Sequence, residues 1–168
     1  FYTDPSVLYM STHQEHHYPG TGRVPEIGEG DGEGFTVNCP LPSGTSDGGY
    51  LRVMDEIFLP LLDQFAPDLL LVSAGYDGHR DDPLAGLDLS TRCYFEVARR
   101  IKDHTEGAVF CLEGGYNLRA LPESVRATMT PLFGLDGAPE EIGDEGVSGH
   151  LESRIAEVKK ELAGYWEL

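Results

Sequence analysis

Asp77, His79, Asp81 and Asp82 stand within six residues of "SAGYDGHRDDPLAG" (73–86), directly after the apolar run "DLLLVSA". A carboxylate at the end of a buried strand is well placed to bind a metal ion in a crevice. Two further stretches gather polar side chains. "STHQEHHYPGTG" (11–22) holds His13, His16 and His17 within five residues, which has the look of a metal cluster. "LEGGYN" (112–117) sets Tyr116 behind a pair of glycines. Each has a plainer reading beside the chemical one. Asp77 can cap the turn that ends its strand, Asp81 and Asp82 can brace the loop through backbone hydrogen bonds, and His79 can be an ordinary loop histidine. Tyr116 can close a strand-to-helix turn, and His16 and His17 read as rim residues.

The elements that must position these residues alternate between strand and helix. "VLYMSTH" (7–13) is rich in strand formers and runs into the His-rich loop. Residues 23–34 are acidic and glycine-rich, without an apolar period, and read as an exposed loop. "FTVNCPL" (35–41) is a short strand stopped by Pro40 and Pro42. A helix fits 47–65, with Asp47 as its N-cap and Leu51, Met54, Ile57, Phe58, Leu61 and Leu62 at helical spacing. "DLLLVSA" (68–74) reads as a parallel strand covered on both faces. Ser90 caps a helix to about residue 104, with Tyr94, Val97, Ala98 and Ile101 on one face. "GAVFCLE" (107–113) is a second buried strand, and a helix follows to about Phe133. A linker (136–148) leads to a terminal helix (149–165) with Leu151, Ile155, Val158 and Leu162 as its stripe. This order predicts an α/β domain with a mainly parallel sheet. In such sheets ligands bind beyond the carboxyl ends of the strands, so the loops after His13, Ala74 and Glu113 are expected to converge.

Composition narrows the function. The chain has 168 residues, 40% hydrophobic, enough for one domain with a real core. Its formal charge is −17, from 29 acidic and 12 basic residues. That balance excludes nucleic acid as the expected partner, since phosphate contacts need clustered Lys and Arg. It suits attraction of a cationic substrate, or solubility in high salt, and equally an ordinarily acidic cytosolic protein. No apolar run approaches membrane-spanning length and no signal pattern opens the chain, so a soluble, cytoplasmic protein without a membrane partner is expected. Cys39, Cys93 and Cys111 show no metal or redox spacing and read as small buried hydrophobes. The chain opens at Phe1 and enters a strand pattern almost at once, as the middle of a domain would.

"GYDGHRDDPLAG", "LEGGYN" and "STHQEHHYPGTG", with their order, spacing and the adjacent "FTVNCPL", resemble the histone deacetylase superfamily over nearly the whole chain. The "LEGGYN" and "DPLAG" forms look closer to its class II branch and to bacterial and archaeal deacetylases. The resemblance implies a three-layer α-β-α arginase/deacetylase-type fold with its amino-terminal part missing. It implies zinc, one per complete domain, with Asp77 as a ligand and Tyr116 as the hydrogen-bond donor to the oxyanion of amide hydrolysis. Tyr18, Leu84 and Gly115 are placed on the substrate channel, Tyr18 walling the acyl-lysine stem. Oxygens around Phe1, Asp4, Val7, Ser11, Thr12 and Phe35 match a monovalent-cation site that would suit potassium.

The family's Asp-x-His zinc ligands and its paired histidines lie before the equivalent of Phe1. The expectation is therefore the carboxyl-terminal part of a single deacetylase-like domain (1–168), inactive by itself, whose complete form removes acetyl groups from acetyl-lysine in proteins or from small acetylated amines. The alternative is a non-catalytic module that binds acetyl-lysine and keeps the fold. A manganese hydrolase of the arginase type fits less well, because the "GGYN" tyrosine has no role there. Oligomeric state is not legible.

Overall fold

The computed structural model describes residues 1–105, 107–140, 143–144 and 146–168. Two parallel strand pairs form its sheet structure. Strand β1 (Tyr9–Gln14) pairs with β2 (Thr36–Leu41) from Tyr9↔Thr36 to Gln14↔Leu41. Strand β3 (Leu70–Ala74) pairs with β4 (Ala108–Leu112) from Leu70↔Ala108 to Ala74↔Leu112. Parallel pairing and intervening helices make this an α/β fold, as the alternation predicts. The ladders among the described residues are two pairs rather than one continuous sheet.

Pro40 does not stop β2, which runs on to Leu41. The carbonyls of Phe35 and Leu41 accept from Tyr9 and Glu15, so the odd-numbered residues of β2 face β1. Pro40 points the other way, where its missing N–H costs no ladder bond.

The helix expected over 47–65 is three pieces in line: α1 (Asp47–Val53), a π turn (Met54–Phe58) and α2 (Leu59–Phe65). The Leu59 N–H reaches Met54 O, a five-residue step, immediately before Pro60, which has no N–H to continue the ordinary ladder. Ser46, not Asp47, is the N-cap: its Oγ accepts from Gly49 N at 3.4 Å. Asp47 instead turns into the interior. Its Oδ1 accepts from Ser90 N at 2.7 Å and its Oδ2 from Ser90 Oγ at 2.5 Å, joining α1 to the start of α3 (Thr91–His104). Ser90 precedes α3 as expected, but its hydroxyl serves Asp47 and makes no cap bond.

The main core lies where β2, α1, the π turn and α2 meet the terminal helix α5 (Gly149–Leu162). Val37, Cys39 and Leu41 of β2 are fully buried with Val53, Ile57 and Leu61. Leu151, Ile155, Val158 and Leu162, the stripe read from sequence, are all buried against them. Each such side chain contributes about 1.5–3 kcal/mol of burial. Ser148 caps α5 by accepting from Leu151 N at 3.2 Å. Beyond α5, the Trp166 indole donates to Gly34 O at 2.7 Å, and its ring meets Phe35 edge-on at 5.4 Å.

Two readings of burial are corrected. Helices α3 and α4 (Ala120–Leu132) pack on one face of the β3–β4 pair, where Leu70, Val72 and Phe110 join the core. Leu71, Val109 and Cys111 point to the opposite face and are exposed, so among the described residues neither strand is covered on both sides. An apolar run cannot reveal whether a second layer covers it. Of the linker 136–148, residues 141, 142 and 145 lie outside the described residues. Its neighbours Asp144 and Gly146 accept from Gly48 N (2.9 Å) and Ser46 Oγ (2.6 Å), tying it to the start of α1.

Candidate active site

Asp77 sits in the turn after β3, and its seat is shaped by glycines. A Cβ at Gly114, after β4, would lie 2.8 Å from Asp77 Cγ, and one at Gly75 would lie 3.0 Å from its Oδ1. Only residues without side chains let the carboxylate lie this close to both turns. Among the described residues it forms no hydrogen bond or ion pair. It lines a cavity of about 370 Å³ that runs from β1 and the carboxyl ends of β3 and β4 inward between those strands and α3, as far as Val72, Ile101 and Phe110. His13, His17 and Tyr18 line the same cavity, as do Glu113 and Gly114. The three loops converge, as expected for ligand-binding ends of parallel strands.

Both ring nitrogens of His79 are engaged within its own loop and α3, away from any metal role. Its Nδ1 accepts from Asp81 N at 3.1 Å, so the proton is on Nε2, which donates to Thr91 Oγ1 at 3.1 Å. The ring is buried and lies parallel to Tyr94 at 6.5 Å. His13 is likewise occupied: Nε2 donates to Gly22 O (3.0 Å) and Nδ1 accepts from Ser11 Oγ (3.0 Å). Burial holds its imidazole below the usual range, partly opposed by the Gly22 carbonyl and by Glu26. His16 and His17 are exposed.

Tyr116 follows β4 on the turn that Gly114 and Gly115 open, and its side chain is 55% exposed. Gly115 has φ +128°, and a Cβ there would meet Leu121 Cδ1 at 2.9 Å and Tyr76 Cβ at 3.0 Å. The Tyr116 amide donates to Asp82 Oδ2 at 2.7 Å, while Asp82 Oδ1 accepts from Leu84 N at 3.0 Å. Asp82 thus braces its own loop, as the sequence suggests, and also the tyrosine turn, which the sequence does not suggest. Asp81 joins the same turns through its carbonyl, which accepts from Asn117 Nδ2 at 2.7 Å.

Of the channel residues, Tyr18 borders the cavity at 91% exposure, while Leu84, at 58%, stands beside the Asp82 brace outside the cavity lining. Gly115 and Tyr116 are outside that lining too. The residues matched to a monovalent-cation site lie before β1 (Phe1, Asp4 and Val7), in β1 (Ser11 and Thr12) and just before β2 (Phe35). Phe1 O accepts from Asp4 N at 2.9 Å, and Asp4 Oδ1 accepts from Ser6 N and Oγ, which holds its carboxyl below the usual range. Val7 N donates to Asp4 O, Phe35 O accepts from Tyr9 N, Ser11 engages His13, and Thr12 Oγ1 meets the Tyr50 hydroxyl at 2.8 Å.

Chemically, the arrangement offers one carboxylate on the cavity lining, without a hydrogen bond among the described residues, and an exposed phenol on an anchored turn outside that lining. A catalytic zinc takes about three protein donors. Among the described residues no group of three or more His, Cys, Asp or Glu is disposed to hold a metal.

Comparison with known proteins shows the family. Residues 1–132 match the histone deacetylase domain model. Histone deacetylase 14, chloroplastic, of Arabidopsis thaliana is 45% identical over 146 residues, covering 84% of this chain and 34% of that protein. A probable deacetylase of Archaeoglobus fulgidus is 40% identical over 184 aligned residues, covering 99% of this chain and 51% of that protein. The solved structure of the histone deacetylase Clr3 superposes with a TM-score of 0.93 at 32% identity, over 99% of this chain and 29% of that one. The chain therefore spans about half or less of each of these three proteins, from 29% to 51% of their length. Family match, identity and fold agree: this chain belongs to the histone deacetylase family.

Proposed function

We propose that this chain forms part of a zinc-dependent deacetylase that hydrolyses the acetyl amide of acetyl-lysine in proteins or of small acetylated amines. Asp77 is one metal ligand, Tyr116 stabilises the oxyanion, and Tyr18, Leu84 and Gly115 border the substrate. The observation that carries this reading is the Asp77 carboxylate, seated against Gly114 at the cavity with no hydrogen bond among the described residues. Membership of the deacetylase family supports it. Zinc, when bound, supplies carbonyl polarisation and an activated water. The chain's own contribution is positional: Tyr116 donates its phenolic proton in a hydrogen bond to the acetyl oxygen as that oxygen gains charge. Tyr18 lays its ring along the methylene stem. One carboxylate falls short of a zinc site, so the 168-residue chain alone is expected to be inactive. Potassium at the oxygens of Phe1, Asp4, Val7, Ser11, Thr12 and Phe35 belongs to the same reading.

The test uses a protein carrying the complete domain. Tyr116→Phe is expected to lose roughly 10²–10³-fold in turnover of an acetyl-lysine peptide while retaining its zinc. Asp77→Asn is expected to lose the zinc itself. Unchanged turnover in Tyr116→Phe refutes the oxyanion role, and peptide binding without turnover by the unsubstituted domain would favour a non-catalytic acetyl-lysine module instead.

A further inference from the structure

Resting on the role just proposed for Tyr116, we infer that Asp82 is a positioning residue, its carboxylate aiming the tyrosine turn and the Leu84 backbone together. Asp82 is 8% exposed, and a carboxylate withdrawn from water that far is costly unless its oxygens are satisfied. Both are, each by a backbone N–H of a different segment: Oδ1 by Leu84 at 3.0 Å and Oδ2 by Tyr116 at 2.7 Å. The second is a short charge-assisted bond across 34 residues of chain.

The carboxylate itself is held firmly. Asp82 N donates to His79 O at 2.8 Å, and Asp81 N donates to the His79 ring at 3.1 Å. A parallel tie runs alongside, from Asn117 Nδ2 to Asp81 O at 2.7 Å. Asn117 Oδ1 meanwhile accepts from Arg119 N (2.9 Å) and Ala120 N (3.0 Å), anchoring the turn to the start of α4. On its other side Gly115 is wedged against Leu121 and Tyr76.

The phenol is more than half exposed, so backbone direction does most of the aiming. A misplacement of about 1 Å in a catalytic group costs on the order of 10²-fold in rate. Asp82 therefore acts on the reaction through Tyr116 without touching substrate.

Asp82→Asn preserves shape, but its amide can accept at one position only and opposes an N–H donor at the other. In the complete domain this variant is expected to lower kcat about ten- to a hundredfold, with KM within about twofold and zinc content unchanged. Amide hydrogen exchange at Tyr116, slow in the parent, should speed up by at least about tenfold. Asp82→Glu keeps the carboxylate but moves its oxygens by about a bond length. Where Asp82→Asn does not fold, this variant should fold and give a fall in kcat of the same kind, with faster exchange at the Tyr116 amide; an unchanged kcat in it overturns the positioning role. A Tyr116 amide already unprotected in the parent overturns the strap. Lost protection with unchanged kcat overturns its positioning role, as does a variant that changes KM or zinc content instead. An unsubstituted domain inactive on every acetylated amine overturns the deacetylase reading, and this inference with it.

Discussion

Asp77 and Gly114 come from different loops yet compete for one space: the position a Cβ would take on Gly114 is 2.8 Å from Asp77 Cγ. Adding that single carbon must move the carboxylate or the turn. Gly114→Ala is expected to cost about 1–3 kcal/mol of stability through overpacking. In a protein carrying the complete domain it should also weaken zinc retention by roughly tenfold or more, because ligand placement is disturbed. Metal content after dialysis, set beside a thermal unfolding curve, checks both. Full zinc content would show that the seat does not constrain Asp77.

The buried bridge from Asp47 to Ser90 makes a second expectation. Asp47→Ala removes the acceptor for Ser90 N and Ser90 Oγ at once, leaving two interior donors without it. The expected loss is about 2–4 kcal/mol. Urea unfolding should show a lower midpoint with an unchanged slope. A change below about 0.5 kcal/mol would mean that the bridge is replaced by water or by local rearrangement.

Thiol chemistry separates the three cysteines. Burial pushes the Cys39 thiol up to about 12, and burial followed by the nearby Asp47 charge raises Cys93 well above its ordinary value. Cys111 is exposed on the open face of β4. A thiol-disulfide reagent at about pH 8 is expected to modify Cys111 first and to reach the other two on unfolding. Mass spectrometry of the labelled peptides reads the order; prompt labelling of Cys39 would contradict the packing of β2.

Stability should also respond to His13. Its folded-state value lies below its ordinary one near 6.5 because burial disfavours the charged ring. The unfolded chain then binds the proton more readily, so the contribution is present above about pH 6.5 and lost as pH falls towards the folded-state value. Replacing His13 with Asn should flatten the stability profile in that window. An identical slope in parent and variant would assign the effect elsewhere.

What could be read in advance follows from what is local. The stripe Leu151, Ile155, Val158 and Leu162 is a repeat within one helix, and all four are buried as read. The order of strands and helices was legible for the same reason, and the signature stretches around Asp77 and Tyr116 pointed to the family that the comparisons show. Choosing between Ser46 and Asp47 as the cap was not legible, since the deciding partner, Ser90, is 43 residues further on. Cys111 and Leu71 sit in apolar runs like those of the core, and only the placement of α3 and α4 decides which face is covered. The hold of Asp82 on Tyr116 is equally non-local: both residues are visible in the sequence, but their bond exists only once β3 and β4 lie side by side.

Trp166 is the chain's one tryptophan, and its indole is hydrogen-bonded to Gly34 while its ring rests on Phe35. Light absorbed at the red edge of the protein spectrum is therefore taken up at a single place, where the tail meets the segment leading into β2. Emission from that residue reports departure of the terminal helix from the core, and it does so without a label.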